Sequence, residues 1–337
     1  MRDEKKYSHF LIQKITTIFI IFLILIATIP CSSGLQEANE RFSFLIEFTM
    51  PNLLQQINQQ SSQRNNYSNL FSNSFHDILT NISLFQQDAL TKIKKIVEIN
   101  PSSSDIKHYH LFFNGIRVSE ITEQSAYQLE QLPFIKHVEK DRLIFHNSKS
   151  IIHNENLSSQ DINDSSFLLT KSNFTYSGKN ISIGFFDTGI DYTHPALLTT
   201  YKGGYDFVND DPDPFDDNGH GTHVIGIAAA QPLENDTSQI ITGVAPNASI
   251  YVYKVLDEQG QGYTSWFLSA FEQALDPNHD GNFSDHLDII SISAGNPEGS
   301  ATDLLSTAAK QAVSAGITVV AAAGNEGPFL DTISSPA

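Results

Sequence analysis

The stretch ISIGFFDTGID, residues 181–191, decides the fold of the second half of the chain. Its apolar part ends at Asp187, and Gly189 follows at a turn position. Three similar apolar runs come later, and helical patterns alternate with them. The apolar runs are 181–186, 250–255, 289–292 and 317–323, and the helical patterns are 220–230, 265–275 and 301–315. This alternation predicts an α/β fold, a doubly wound parallel sheet with helices on both faces.

Three polar side chains occur where such a sheet gathers its chemistry. Asp187 ends the first run, His220 opens a helix within DNGHGTHV, and Asn325 follows the last run within AAAGNEG. Substrates bind at the carboxyl ends of the strands in sheets of this kind. We therefore predict that an acid, an imidazole and an amide donor lie on one rim of the sheet.

These blocks resemble the subtilisin-like serine peptidases, or subtilases, over roughly residues 167–337. Two further blocks carry the resemblance, IYVYKVLDEQGQGYTSW at 250–266 and IISISAGNPEG at 289–299, so that five blocks agree in order and spacing. Subtilisin is itself the reference case for a triad in the chain order Asp, His, Ser. The resemblance implies a serine endopeptidase that cleaves protein or peptide substrates through an acyl-enzyme.

The resemblance also assigns roles to individual residues. Asp187 would orient the imidazole, His220 would be the general base, and Asn325 would donate to the oxyanion. The segments Gly260-Gln261-Gly262 and Ser293-Ala294-Gly295 match the two family segments that pair with an extended substrate through backbone hydrogen bonds.

The family's nucleophilic serine lies in a Gly-Thr-Ser stretch after the asparagine block. The sequence runs from Asn325 to Ala337 without such a stretch. We therefore expect a precursor that is truncated before its catalytic serine.

Residues 1–33 have the order of a secretory signal peptide, with lysines, an apolar run and then small residues. The run at 15–29 is shorter than the ~20 residues that span a bilayer, which leaves an uncleaved anchor as the less favoured alternative. Nine Asn-x-Ser/Thr sequons favour a glycoprotein. We expect an extracellular or secretory/lysosomal protein without membrane attachment once the signal is removed.

Residues 41–146 form a small α+β unit with the predicted order β-α-β-β-α-β, that of a ferredoxin-like fold. Strands are predicted at 41–49 and 135–145, helices at 74–97 and 122–132, and an Asn114-Gly115 hairpin turn between 109–113 and 116–118. The unit resembles the inhibitor-type propeptide of subtilases, which implies an intramolecular chaperone and inhibitor.

Residues 147–166 are polar and lack periodicity, which predicts a linker or processing region before a peptidase domain at 167–337. The extended tail after Phe145 is expected to lie in the substrate cleft.

The charge distribution excludes one class of partner. The chain carries a net charge of −18, and residues 151–337 hold 5 Lys and Arg against 24 Asp and Glu. Such a surface repels phosphate backbones, so nucleic acid is not expected as a partner. A single cysteine, Cys31, cannot close an internal disulfide, so the fold depends on its buried core.

No metal or cofactor is assigned, although calcium stays open. His220 and His223 lack the spacing and the glutamate of a zinc peptidase motif. The loop at 276–281 begins like a calcium loop but has Leu287 where a bidentate glutamate is expected, which favours a solvated acidic loop. Ala196 stands where many subtilisins carry a calcium ligand.

The alternative function is a non-catalytic secreted glycoprotein that binds peptides or inhibits a related enzyme.

Overall fold

The computed structural model describes residues 40–56, 74–97, 106–146, 177–232, 242–328 and 332–337. Its strands are β1 (Phe42–Phe48), β2 (Lys107–Tyr109), β3 (Gly115–Ile121), β4 (Ile135–Lys140), β5 (Leu143–His146), β6 (Ser182–Asp187), β7 (Tyr201–Asp206), β8 (Ser249–Lys254), β9 (Gln261–Tyr263), β10 (Ile289–Ile292), β11 (Ala294–Gly295) and β12 (Thr318–Ala321). Its longer helices are α1 (Ser74–Ile96), α2 (Glu123–Glu130), α3 (His220–Ala229), α4 (Thr264–Leu275) and α5 (Leu304–Ser314).

A five-stranded parallel sheet forms the second unit, in the order β12-β10-β6-β8-β7. The four apolar runs became β6, β8, β10 and β12, as predicted. The sequence pattern does not predict β7, because YKGGYD combines two glycines with polar residues and lies at the sheet edge. Helix α3 packs on β6 and helix α5 on β12, so the predicted α/β class is confirmed.

The first unit is an antiparallel sheet in the order β2-β3-β1-β4. Its named elements follow one another as β-α-β-β-α-β, and Thr122 caps α2 by accepting a hydrogen bond from the Ser125 N–H. Apolar side chains of α1 and α2 cover one face of this sheet, among them Ile93 and Leu129.

The predicted Asn114-Gly115 turn is wrong. Gly115 already belongs to β3 and pairs with Tyr109, so residues 110–114 form a longer loop. The Asn114 side chain turns inward, donates to the Met50 carbonyl at 2.7 Å and accepts from Gln86 at 2.8 Å. Phe112 and Phe113 are both buried in this loop, whereas neighbouring residues of a strand would point to opposite faces of the sheet.

The single strand predicted at 135–145 is also wrong. It is two strands, because the chain turns at Asp141 and Arg142 and leaves the first sheet after β4. The Asp141 carboxylate accepts hydrogen bonds from the backbone N–H and hydroxyl of Ser265 at the start of α4. Strand β5 then pairs antiparallel with both β9 and β11 of the second unit.

An apolar cluster joins the two units. Phe112 and Phe113 of the first unit belong to the same buried cluster as Phe267 and Phe271 of α4. The Phe112 and Phe271 rings meet edge to face at 6.0 Å.

Several predictions fall outside the described residues, including the signal at 1–33 and the linker at 147–166. Among the described residues, no helix is long and apolar enough to cross a membrane.

Candidate active site

Asp187 and His220 meet at the carboxyl end of the parallel sheet. Asp187 is the last residue of β6 and is 1% exposed, while His220 begins α3. The His220 Nδ1–H donates to Asp187 Oδ1 at 2.7 Å, and the Thr188 N–H donates to the same oxygen at 2.8 Å. The hydrogen bond to Asp187 raises the pKa of His220 above its usual value, although burial opposes that rise.

The second oxygen, Asp187 Oδ2, is buried without a hydrogen-bond partner among the described residues. The two bonds to Oδ1 therefore orient the carboxylate. This arrangement fixes the His220 tautomer, with the proton on Nδ1, and leaves Nε2 to act as a base.

Asp216 holds the loop before His220, and sequence reasoning missed it. Its carboxylate accepts from the hydroxyls of Thr188 and Thr222 and from the N–H groups of Asn218, Gly219 and Thr222. Burial alone would raise the pKa of Asp216, but these hydrogen bonds lower it below its usual value. An acid-rich run such as 210–217 is typical of a solvated face, and only the burial of Asp216 within it marks this role.

The two predicted substrate-binding segments flank one strand of this same chain. Gly262 of β9 pairs with Ile144, Gln261 pairs with Phe145, and the Gly260 carbonyl accepts from the His146 N–H at 3.0 Å. On the other side, Ala294 and Gly295 of β11 pair with His146 and Phe145, and Ser293 directly precedes β11. Residues 143–146 thus lie between the two predicted substrate-binding segments, and this pairing begins at Leu143, three residues before the predicted start of the tail after Phe145.

His146 lies over the candidate base. Its ring stacks on the His220 ring with centroids 4.8 Å apart and planes 19° from parallel. Burial, and then the neighbouring His220, lower the pKa of His146 below its usual value, against an opposing effect of Asp187. A Cβ on Gly260 would lie 1.6 Å from His146 Cδ2, so only glycine leaves room for the ring.

Acidic side chains of each unit accept hydrogen bonds from the other unit. The sequence pattern does not indicate these acids. Besides Asp141, Glu139 accepts from the Leu304 N–H at the start of α5. From the other side, Glu272 accepts from the N–H groups of His110 and Leu111 at 2.7 and 2.8 Å. Burial raises the pKa of Glu272 to about 7, while those two hydrogen bonds act in the opposite direction.

Asn325 is exposed in the loop after β12, two strands from β6. Its backbone N–H donates to the Glu326 side chain at 2.7 Å. The loop follows the carboxyl end of the same sheet that presents Asp187. The oxyanion role stays a prediction.

One acidic group among the described residues has the geometry of a cation site. Carboxylate oxygens of Asp276, Asp280 and Asp285 lie within 4.8 Å of one another. The third acid is at the tenth position of the loop and not at the twelfth, where sequence reasoning looked for it. Ala196 is buried in an apolar cluster, and His223 is exposed on α3. Calcium binding stays untested.

Comparison with known proteins agrees with this geometry. Residues 178–337 match the model of the subtilase family. Residues 178–337 therefore form a subtilase-family unit of this chain.

The chain is 32% identical to subtilisin E of Bacillus subtilis over 241 residues, 71% of this chain and 56% of the relative. It is 42% identical to a subtilisin of Bacillus pumilus over 153 residues, 45% of this chain and 50% of the relative. It is 43% identical to the major intracellular serine protease of B. subtilis over 155 residues, 44% of each chain. The chain thus spans about half the length of these relatives. The 241-residue match is longer than the family match and extends into residues before 178.

Proposed function

We propose that the chain is part of a secreted serine endopeptidase precursor. The observation that carries the proposal is the buried Asp187 carboxylate, which accepts the Nδ1 proton of His220 at 2.7 Å. A serine hydroxyl is a weak nucleophile until a base removes its proton. His220 takes that proton, Asp187 stabilises the resulting imidazolium, and His220 later protonates the leaving amine. Asn325 donates to the oxyanion.

The nucleophilic serine is not assigned to any residue of this sequence. The Ser300 hydroxyl follows Gly299 and is hydrogen-bonded to Thr302, in the turn before α5. It precedes Asn325 in the chain, whereas the family order requires a serine after the asparagine block.

The substrate is a protein or peptide bound in an extended conformation. Residues 143–146 support this, since they form antiparallel pairs with both flanking segments. Backbone pairing of this kind is independent of the side chains, and pockets for alternate residues supply the selectivity. Ile144 is fully buried, whereas Leu143 and Phe145 are each 40% exposed. We expect a substrate preference for an aliphatic residue at the position of Ile144.

The first unit is an internal inhibitor. Its tail occupies the cleft, His146 covers His220, and the acids Asp141, Glu139 and Glu272 hold the two units together. A substrate cannot pair with the same two segments until the tail leaves. The precursor is therefore inactive toward other proteins until the tail is cut and the unit is removed.

A fluorophosphonate probe, which phosphonylates activated serines with loss of fluoride, tests the proposal. Residues 34–337 are compared with a chain that continues past Ala337 along its coding sequence, each as wild type, His220→Ala and His223→Ala. We expect labelling only of the continued chain, lost in His220→Ala and retained in His223→Ala, which alters an exposed residue of the same helix.

Two results would contradict the proposal. One is stoichiometric labelling of residues 34–337, which would mean that the nucleophile lies among residues assigned no such role. The other is the absence of labelling in a folded, matured continued chain, which would favour the non-catalytic peptide-binding protein.

A further inference from the structure

We propose that Lys254 is a positioning residue that holds the Asp187 segment and the loop before His220 in register. This inference rests on the proposed function, because it concerns the pair of residues on which that function depends.

Lys254 is a buried cation at the centre of the site. It is the last residue of β8, it pairs with Asp187 across the sheet, and it is 1% exposed. A buried ammonium is unfavourable unless its donors are satisfied and its charge is paired. A lysine that ends an otherwise apolar strand is therefore unusual, and this is the signal that could have revealed it from sequence.

Each of the three donors of Lys254 Nζ has an acceptor on a different segment. The ammonium donates to the Thr188 carbonyl at 2.6 Å, to the Leu256 carbonyl at 3.0 Å and to Asp217 Oδ1 at 2.6 Å. Thr188 follows the candidate acid, Leu256 leads toward the substrate segment at 260–262, and Asp217 precedes the candidate base by three residues. One side chain therefore connects the three parts of the site.

The hydrogen bonds of Thr188 connect Lys254 to the Asp187 carboxylate. The Thr188 N–H donates to Asp187 Oδ1, and its hydroxyl accepts from the Gly221 N–H and donates to Asp216. Lys254 fixes the carbonyl of the same residue. Asp216 anchors the loop to Thr188 from the helix side, and Lys254 anchors it through Asp217 from the sheet side. With either anchor gone, the loop can shift, and the Asp187–His220 hydrogen bond lengthens.

The test uses two variants of Asp217, whose side chain is 44% exposed and whose loss should be tolerated by the fold. Asp217→Ala removes both the charge and the contact with Lys254. Asp217→Asn removes the same charge but keeps an oxygen that can accept from Lys254. The difference between the two variants therefore isolates the contact from the electrostatic effect of the acid.

The measurement is proton NMR of the 337-residue chain. The His220 Nδ1 proton resonates far downfield while its hydrogen bond to Asp187 is intact, and its exchange with water reports how often that bond opens. We expect exchange about tenfold faster in Asp217→Ala than in Asp217→Asn, because a hydrogen bond to a charged group carries at least that much free energy. Methionine has a side chain of similar length to lysine but no ammonium. In folded Lys254→Met, we therefore expect the His220 Nδ1 proton resonance to be lost.

Equal exchange in Asp217→Ala and Asp217→Asn would overturn the proposal, as would an unchanged resonance in folded Lys254→Met. Either result would leave the proposed peptidase function intact, because the fluorophosphonate test does not involve Lys254. Conversely, a continued chain that fails to react with the probe would refute the peptidase, whatever the NMR result.

Discussion

Gly260→Ala should expel the tail from the cleft without unfolding either unit. Gly260 has φ 74°, where an alanine costs about 1–2 kcal/mol of backbone strain. A Cβ there would also lie 1.6 Å from His146 Cδ2 and 2.1 Å from Nε2, so the imidazole must move away. The displaced ring loses its stacking on His220, worth about 0.5–1.5 kcal/mol. The His146 N–H to Gly260 carbonyl bond loses a similar amount.

Gly316→Ala is the matched control. Gly316 has φ 104° in the turn after α5, and a Cβ there would approach only the His286 ring, at 3.7 Å. It carries the same class of backbone strain without touching the tail. The difference between the two variants at the tail should therefore be about 1–3 kcal/mol, which is about 5- to 150-fold in an equilibrium constant.

Amide hydrogen exchange of the 337-residue chain measures this difference. In Gly260→Ala, exchange at residues 143–146 should be faster than in Gly316→Ala by that factor, while amides of β6 keep similar protection in both variants. The assay requires no catalytic activity. Equal protection of the tail in the two variants would refute the tail's placement against Gly260.

Three further predictions concern the acids and the imidazoles. Asp141→Asn should lower the free energy of unfolding in urea by about 2 kcal/mol, because the start of α4 loses a charged hydrogen-bond acceptor. The control Asp88→Asn, at an exposed position, should change the free energy of unfolding by less than about 0.5 kcal/mol. The kcat/KM of the mature peptidase should fall as pH drops through the raised pKa of His220, because only the neutral imidazole is a base. In Asp187→Asn the remaining activity should be weaker, and its decline should be shifted to a lower pH, because the hydrogen bond that raises the pKa of His220 is lost. Tail protection should decrease as pH falls below about 6.5, because burial and then the neighbouring His220 lower the pKa of the docked His146, against an opposing effect of Asp187, so that the tail binds with His146 neutral. In His146→Phe this dependence should be lost.

The parallel sheet could be predicted because its central strands are buried on both faces. Such strands become continuous apolar runs, and the turn residues that end them mark where Asp187 and His220 are presented. Strand β7 has only one neighbour in the sheet and contains Gly203 and Gly204, so its pattern resembles a loop.

The contacts between the two units could not be predicted, because they depend on long-range pairing. The residues around Asp141 in the sequence do not distinguish it from an ordinary acidic residue at a turn. Its role is visible only in the structure, where it contacts the start of α4. The same holds for Asp216, whose neighbours in sequence suggest a solvated acidic run. Lys254 is locally unusual at the end of an apolar strand, but the sequence does not indicate its acceptors on Thr188 and Asp217. Local sequence patterns indicate burial and turns. A buried charge is stable only when it is paired, and its partners can lie far away in the sequence.

The central claim is that His220, oriented by Asp187, is the general base in the serine-dependent cleavage of the tail that covers it. The most direct measurement is N-terminal sequencing of a purified chain that continues past Ala337, as wild type, His220→Ala and His223→Ala. The account predicts that the wild type and His223→Ala are cut after His146, within residues 147–166, and that His220→Ala stays intact. Cleavage of folded His220→Ala at the same bond and the same rate would contradict it.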